Sequence, residues 1–86
     1  MARMLVFHEV DDVDHWLAST RRGEFFDSLG ISVDEFLDRD GSGRVGLLLD
    51  VPDPAALDAA LQSPAAGEAM AADGVHPDTL VLMVEP

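Results

Sequence analysis

Between Arg44 and Asp53 the chain reads RVGLLLDVPD, preceded by the turn sequence DRDGSG from Asp38 to Gly43. In an extended chain successive side chains point to opposite faces. Val45, Leu47, Leu49 and Val51 therefore share one side, and Gly46 and Leu48 share the other. A strand apolar on both faces belongs inside a sheet that is covered twice. The rest of the chain has to supply that cover. With 86 residues in all, residues 1–86 are expected to form one domain, near the size where a single core only just suffices. A partner subunit often completes the burial at that size.

Arg3 to Val10 repeats the two-sided pattern, with Met4, Val6 and His8 alternating against Leu5, Phe7 and Glu9. This predicts a second central strand. Asp11, Asp12 and Asp14 then offer an N-cap and an acidic first turn for a helix. Val13, Trp16, Leu17 and Thr20 fall on one helical stripe, with Arg21 and Arg22 at its end and a further turn through Phe25 and Phe26 before Gly30. His15 lies off the stripe and is expected at the surface. Ile31 to Asp38 has two readings. As a strand, Ile31, Val33, Glu35 and Leu37 face one way; as a helix, Ser32 and Glu35 form a capping box. The strand is preferred. Asp53-Pro54 and Ser63-Pro64 are two helix starts, each a capping residue followed by proline at the first helical position. They carry Leu57, Leu61 and Met70 inward until Asp73-Gly74 stops the second helix. His76 and Pro77 are expected in a loop, followed by a last strand from Thr79 to Glu85.

Strand, helix, strand, strand, helix, strand is the order of an α+β ferredoxin-like βαββαβ domain, in which the helices cover one face of an antiparallel sheet. The second face should then alternate polar, and here it does not. Leu48, Val81 and Met83, with either Met4 and Val6 or Leu5 and Phe7, would lie bare. Such a patch marks an interface, and two copies packed sheet to sheet about a two-fold axis resolve it.

With that order and the segment DPAALDAALQSPAAGEAM, Asp53 to Met70, the chain resembles the dimeric α/β-barrel superfamily. That group includes antibiotic-biosynthesis monooxygenases, stress-responsive barrel proteins and small polyketide-cyclase-like proteins. The resemblance implies a homodimer, a small-molecule pocket between sheet and helices, and no metal or flavin cofactor. Members often carry a histidine before the Ser-Pro and another just after it; here Ala60 and Ala65 or Ala66 stand in those slots.

Composition removes other classes. There is no cysteine, hence no disulfide, thiol nucleophile or zinc–thiolate site. A net charge of -12, with arginine as the sole basic residue type, repels a phosphate backbone and argues against nucleic acid. No apolar run reaches the ~20 residues of a membrane span, and the N-terminus does not read as a signal peptide. A cytoplasmic protein is expected.

Tyrosine is absent too, so chemistry falls to histidines, carboxylates, arginines and Trp16. His8, near the end of a central strand on the Met4/Val6 face, is the leading candidate for general acid–base work on an enolisable or phenolic molecule. The plainer role is a core histidine satisfied by its neighbours. His76, beside a possible pocket mouth, is a second candidate. Trp16, Phe7, Phe25 and Phe36 are candidates to line an aromatic-substrate pocket, with Glu35 and Arg44 orienting a polar substituent; their plainer roles are core and an exposed ion pair. DRDGSGRV, Asp38 to Val45, matches the opening of a calcium loop, yet its twelfth position is Leu49 rather than glutamate, and strand rather than helix follows. An acidic hairpin turn is preferred there. The expected function is a cofactor-independent binder or catalyst for an apolar aromatic or polyketide-like molecule, with cyclisation or oxygenation as candidate reactions. A non-enzymatic dimeric ligand- or protein-binding module is the alternative.

Overall fold

A computed structural model describes residues 2–86. Its elements are β1 (Ala2–Val10), α1 (Val13–Ala18), α2 (Arg21–Ser28), β2 (Ser32–Leu37), β3 (Arg44–Val51), α3 (Pro54–Leu61), α4 (Pro64–Ala72) and β4 (Val75–Val84). The strands form one antiparallel sheet in the order β2-β3-β1-β4, the ferredoxin-like arrangement. Its two-sided strands β1 and β3 are the central pair, and Ile31 to Asp38 does supply a strand.

Register decides which residues share a face. Met4 pairs with Leu49, Val6 with Leu47 and His8 with Val45, and this set turns toward the helices and is buried. Leu5 pairs with Leu48 and Phe7 with Gly46. On β4, Met83 lies opposite Leu5 and Val81 opposite Phe7; on β2, Phe36 lies opposite Gly46. The bare face therefore carries Leu5 and Phe7, not Met4 and Val6. Gly46 makes room there: a Cβ on it would meet the Phe7 ring at 3.4 Å and Phe36 Cβ at 3.7 Å.

Helices cover the other face because each has a side it can bury. Trp16, Phe26, Leu57 and Ala66 are the buried residues of α1, α2, α3 and α4 in turn. Asp53 caps α3 by accepting from the Ala55 and Ala56 amides, and Ser63 caps α4 by accepting from Ala66 N–H, as the Asx-Pro and Ser-Pro signals predict.

Three local expectations differ. The first helical segment is two helices. Ser19 has extended dihedrals, and its hydroxyl accepts from the Arg21 amide, an alternative to the helical ladder that serine offers readily. Leu17 is consequently 40% exposed rather than buried with Trp16. Arg21 and Arg22 begin α2 instead of ending a helix, so the dipole disfavours them. The last strand starts at Val75, and its register shifts between Phe7 and Glu9 of β1. His76 and Pro77 thus sit in β4, with His76 opposite Glu9. Pro77 is tolerated because β4 is an edge and its register breaks beside it.

Candidate functional site

A cavity of about 290 Å³ lies between the helices and the sheet. Val6, Leu47 and Leu49 floor it from β1 and β3, and Leu80 and Leu82 wall it from β4. The helices close it with Trp16, Phe25, Phe26, Leu57, Leu61, Ala66, Ala69 and Met70. Its polar lining is His8, Arg21, Arg22 and Asp73.

His8 is 6% exposed. Its ring meets Trp16 edge-on at 5.8 Å between centroids. Nδ1 lies 3.5 Å from the Glu9 carbonyl oxygen, at the outer limit for a hydrogen bond. Burial pushes its pKa below the ordinary 6.5; the Glu9 carbonyl opposes that shift and the Arg22 charge assists it. The imidazole is therefore neutral at pH 7. Among the described residues its sole hydrogen bond is through Nδ1, and no buried side-chain nitrogen or oxygen is sealed without a partner. Nε2 therefore has no protein partner and is not wholly sealed.

Arg22 braces this end. Its guanidinium carbon stands 3.8 Å from the centre of the Trp16 ring, its Nη1 donates to the Trp16 carbonyl at 3.0 Å, and its Nη2 pairs with Glu35. A guanidinium held over an indole and by a carboxylate stiffens the cavity wall. Arg21 reaches the buried Asp73 carboxylate at 3.4 Å.

The sequence candidates separate into three groups. His8, Trp16 and Phe25 meet at the cavity, and Glu35 acts on it through Arg22. Phe7, Phe36 and Arg44 do not reach it. They line a shallower depression of about 430 Å³ together with Glu9, Gly46, Thr79 and Val81, and His8 borders this depression as well as the cavity; register turns Phe7 and Phe36 to the bare face. His76 lines neither space. Its Nε2 pairs with Asp11 at the surface, which raises its pKa; it is no cavity-mouth residue. Arg21, Arg22 and Asp73 are cavity residues that sequence reasoning assigned to helix ends. For Asp73 the usable signal was a negative charge at a helix C-terminus; for Arg21 and Arg22 there was none, because positive charge suits the helix end at which the sequence placed them.

In the acidic turn, Asp38 is engaged within the protein. It accepts from the Ser42 hydroxyl, the Asp40 amide and the Arg44 guanidinium, and in that order these contacts hold its pKa down to about 2. The guanidinium occupies the charge-neutralising role a calcium ion would have. No cluster of three or more potential metal ligands occurs among the described residues. No helix among them is long and apolar enough to cross a membrane.

No family model matches the sequence, and no curated protein does. Solved structures do match. An antibiotic biosynthesis monooxygenase aligns over 100% of this chain and 97% of its own, with TM-score 0.66 and 13% identity. The chain has that fold. A conserved protein from Methanosarcina mazei Go1 aligns over 98% of this chain and 89% of its own, at TM-score 0.64 and 11% identity. A Mycobacterium tuberculosis protein aligns over 100% and 94%, at 0.54 and 18%. The antibiotic biosynthesis monooxygenase fold thus spans the whole length of the chain, and at these identities what is shared is the fold.

Proposed function

We propose that the chain is a cofactor-independent protein that encloses a compact aromatic or polyketide-like molecule between sheet and helices, and that His8 moves protons there during cyclisation. One observation carries the reading. A nearly wholly apolar cavity contains a neutral imidazole whose Nε2 has no protein partner. Such a group accepts a proton at neutral pH. In an aldol-type ring closure, Nε2 removes a proton from the carbon between two carbonyls. The enolate carbon then attacks a third, more distant carbonyl of the same molecule, and the imidazolium returns the proton to the new alkoxide. Atoms balance without a further reactant. Arg22, close enough to act on the His8 charge, favours the developing enolate. The apolar walls exclude water and fold the chain of the substrate into a reactive shape.

A carrier without chemistry is the second reading. It is favoured by Ala66, which lines the cavity in one of the two slots where the resembled family often carries a histidine. In either case the bare sheet face is proposed to be covered by a second copy.

The deciding experiment incubates the protein with a linear poly-β-keto thioester and follows product mass. Cyclisation keeps the mass or loses water, whereas oxygenation adds an oxygen atom. His8→Gln should lower turnover by about 100- to 10,000-fold while leaving ligand affinity within a few-fold. Undiminished turnover in that variant removes His8 from the mechanism. Binding with no turnover in the parent establishes the carrier.

A further inference from the structure

Asp73 is used by nothing in the mechanism above, yet its placement is costly. Its side chain is 5% exposed. It stands at the C-terminal cap of α4, and there its backbone N–H, not its carboxylate, supplies the capping bonds to Ala69 and Ala71. A negative charge at that end opposes the helix dipole. Its partner Arg21 is equally misplaced at the start of α2. Between them there is one long contact, Arg21 Nη1 to Asp73 Oδ1 at 3.4 Å, and the Arg21 side chain is 54% exposed. An ionised carboxylate has about four acceptor sites, and burial with so few filled is expensive.

Among the described residues Oδ2 has no protein donor, and no buried side-chain oxygen is sealed without a partner. Oδ2 is therefore not wholly sealed, and Asp73 lines the cavity. We propose that Asp73 is the specificity-determining residue of this cavity, accepting a hydrogen bond from a hydroxyl group on an otherwise apolar, aromatic-sized ligand. The inference rests on the cavity being a ligand site and narrows the ligand class. The volume is at the lower end of ligand pockets, which suits a small fused-ring alcohol or phenol. A ligand carboxylate is disfavoured by the Asp73 charge. Arg21 acts as a positioning residue, holding the carboxylate through its Nη1 contact at 3.4 Å.

The test compares 2-naphthol with 2-methoxynaphthalene, which share a ring system but differ in the donor. Isothermal calorimetry on the whole chain should show the phenol binding at least about tenfold more tightly, as expected for a hydrogen bond to a buried charge. Asp73→Leu, close in shape and without an acceptor, should erase that preference through lost phenol affinity alone. Binding of the methyl ether within about twofold of the parent shows that the variant's cavity is intact. Asp73→Asn should give an intermediate ratio. Equal affinities in the parent, or a preference surviving Asp73→Leu, overturns the role of Asp73 and leaves the cavity reading standing. No binding of either probe overturns both.

Discussion

His8 and His76 are the same residue type pushed in opposite directions by their surroundings. Burial lowers the pKa of His8, and the Asp11 partner raises that of His76. The unfolded value is 6.5 for both, so their linkage to stability has opposite signs. His8 contributes stability that is complete above pH 6.5 and is lost as the pH falls from 6.5 through its folded value. The His76–Asp11 pair contributes stability that is complete below pH 6.5 and is lost as the pH rises through its own raised value. NMR titration of the imidazole C–H resonances should place the His8 midpoint below 6.5 and the His76 midpoint above it, and His76→Gln should remove the latter. A His8 midpoint at or above 6.5 would contradict its desolvation and the neutral base built on it. His8 was legible from sequence because strict alternation puts it on an apolar face. Asp73 was not, because an Asp-Gly pair after an alanine-rich run reads as a helix stop and that reading is locally sufficient. Phe7 and Phe36 were misassigned to one aromatic pocket because aromatic type carries no information about face; register, a pairwise property of strands, sets it.

Secondary elements were legible in proportion to the strength of their boundary chemistry. Asp53-Pro54 and Ser63-Pro64 mark both helix starts to the residue, because capping and proline act within one turn. The break at Ser19-Thr20 went unseen because an apolar stripe across it still matched a helical period. These two kinds of boundary should also differ energetically. Asp53 accepts from two helix amides at 3.1 and 3.3 Å, while Thr20 at the N-cap of α2 makes no side-chain capping bond. Asp53→Ala should therefore cost about 1 kcal/mol, and Thr20→Ala less than about 0.5 kcal/mol. Urea unfolding midpoints at constant m-value check both. Equal costs would mean that the cap geometry of α3 does not govern its stability.

At the scale of the molecule, the sheet has one face under helices α1–α4 and another that no described element covers. Phe7 at 42%, Phe36 at 54% and Met83 at 52% exposure share that second face with Leu5 and Val81, and β4 presents an unpaired edge. A contiguous apolar surface of this kind is what two-fold association buries, and a chain of 86 residues has few other ways to enlarge its core. Opposing it is charge. Each copy carries -12, so pairing brings two strongly negative bodies together, and salt should screen that repulsion. The expected outcome at micromolar concentration is a species of twice the 9.2 kDa chain mass in sedimentation equilibrium. Its dissociation constant should fall as ionic strength rises from about 0.05 to about 0.5 M, the reverse of an association held by ion pairs. Phe7→Glu, on the bare face and pointing away from the cavity on the other side of the sheet, should give a folded monomer. A parent chain that stays monomeric at both salt concentrations would leave the bare face without a covering copy and break the link between this sheet and a barrel.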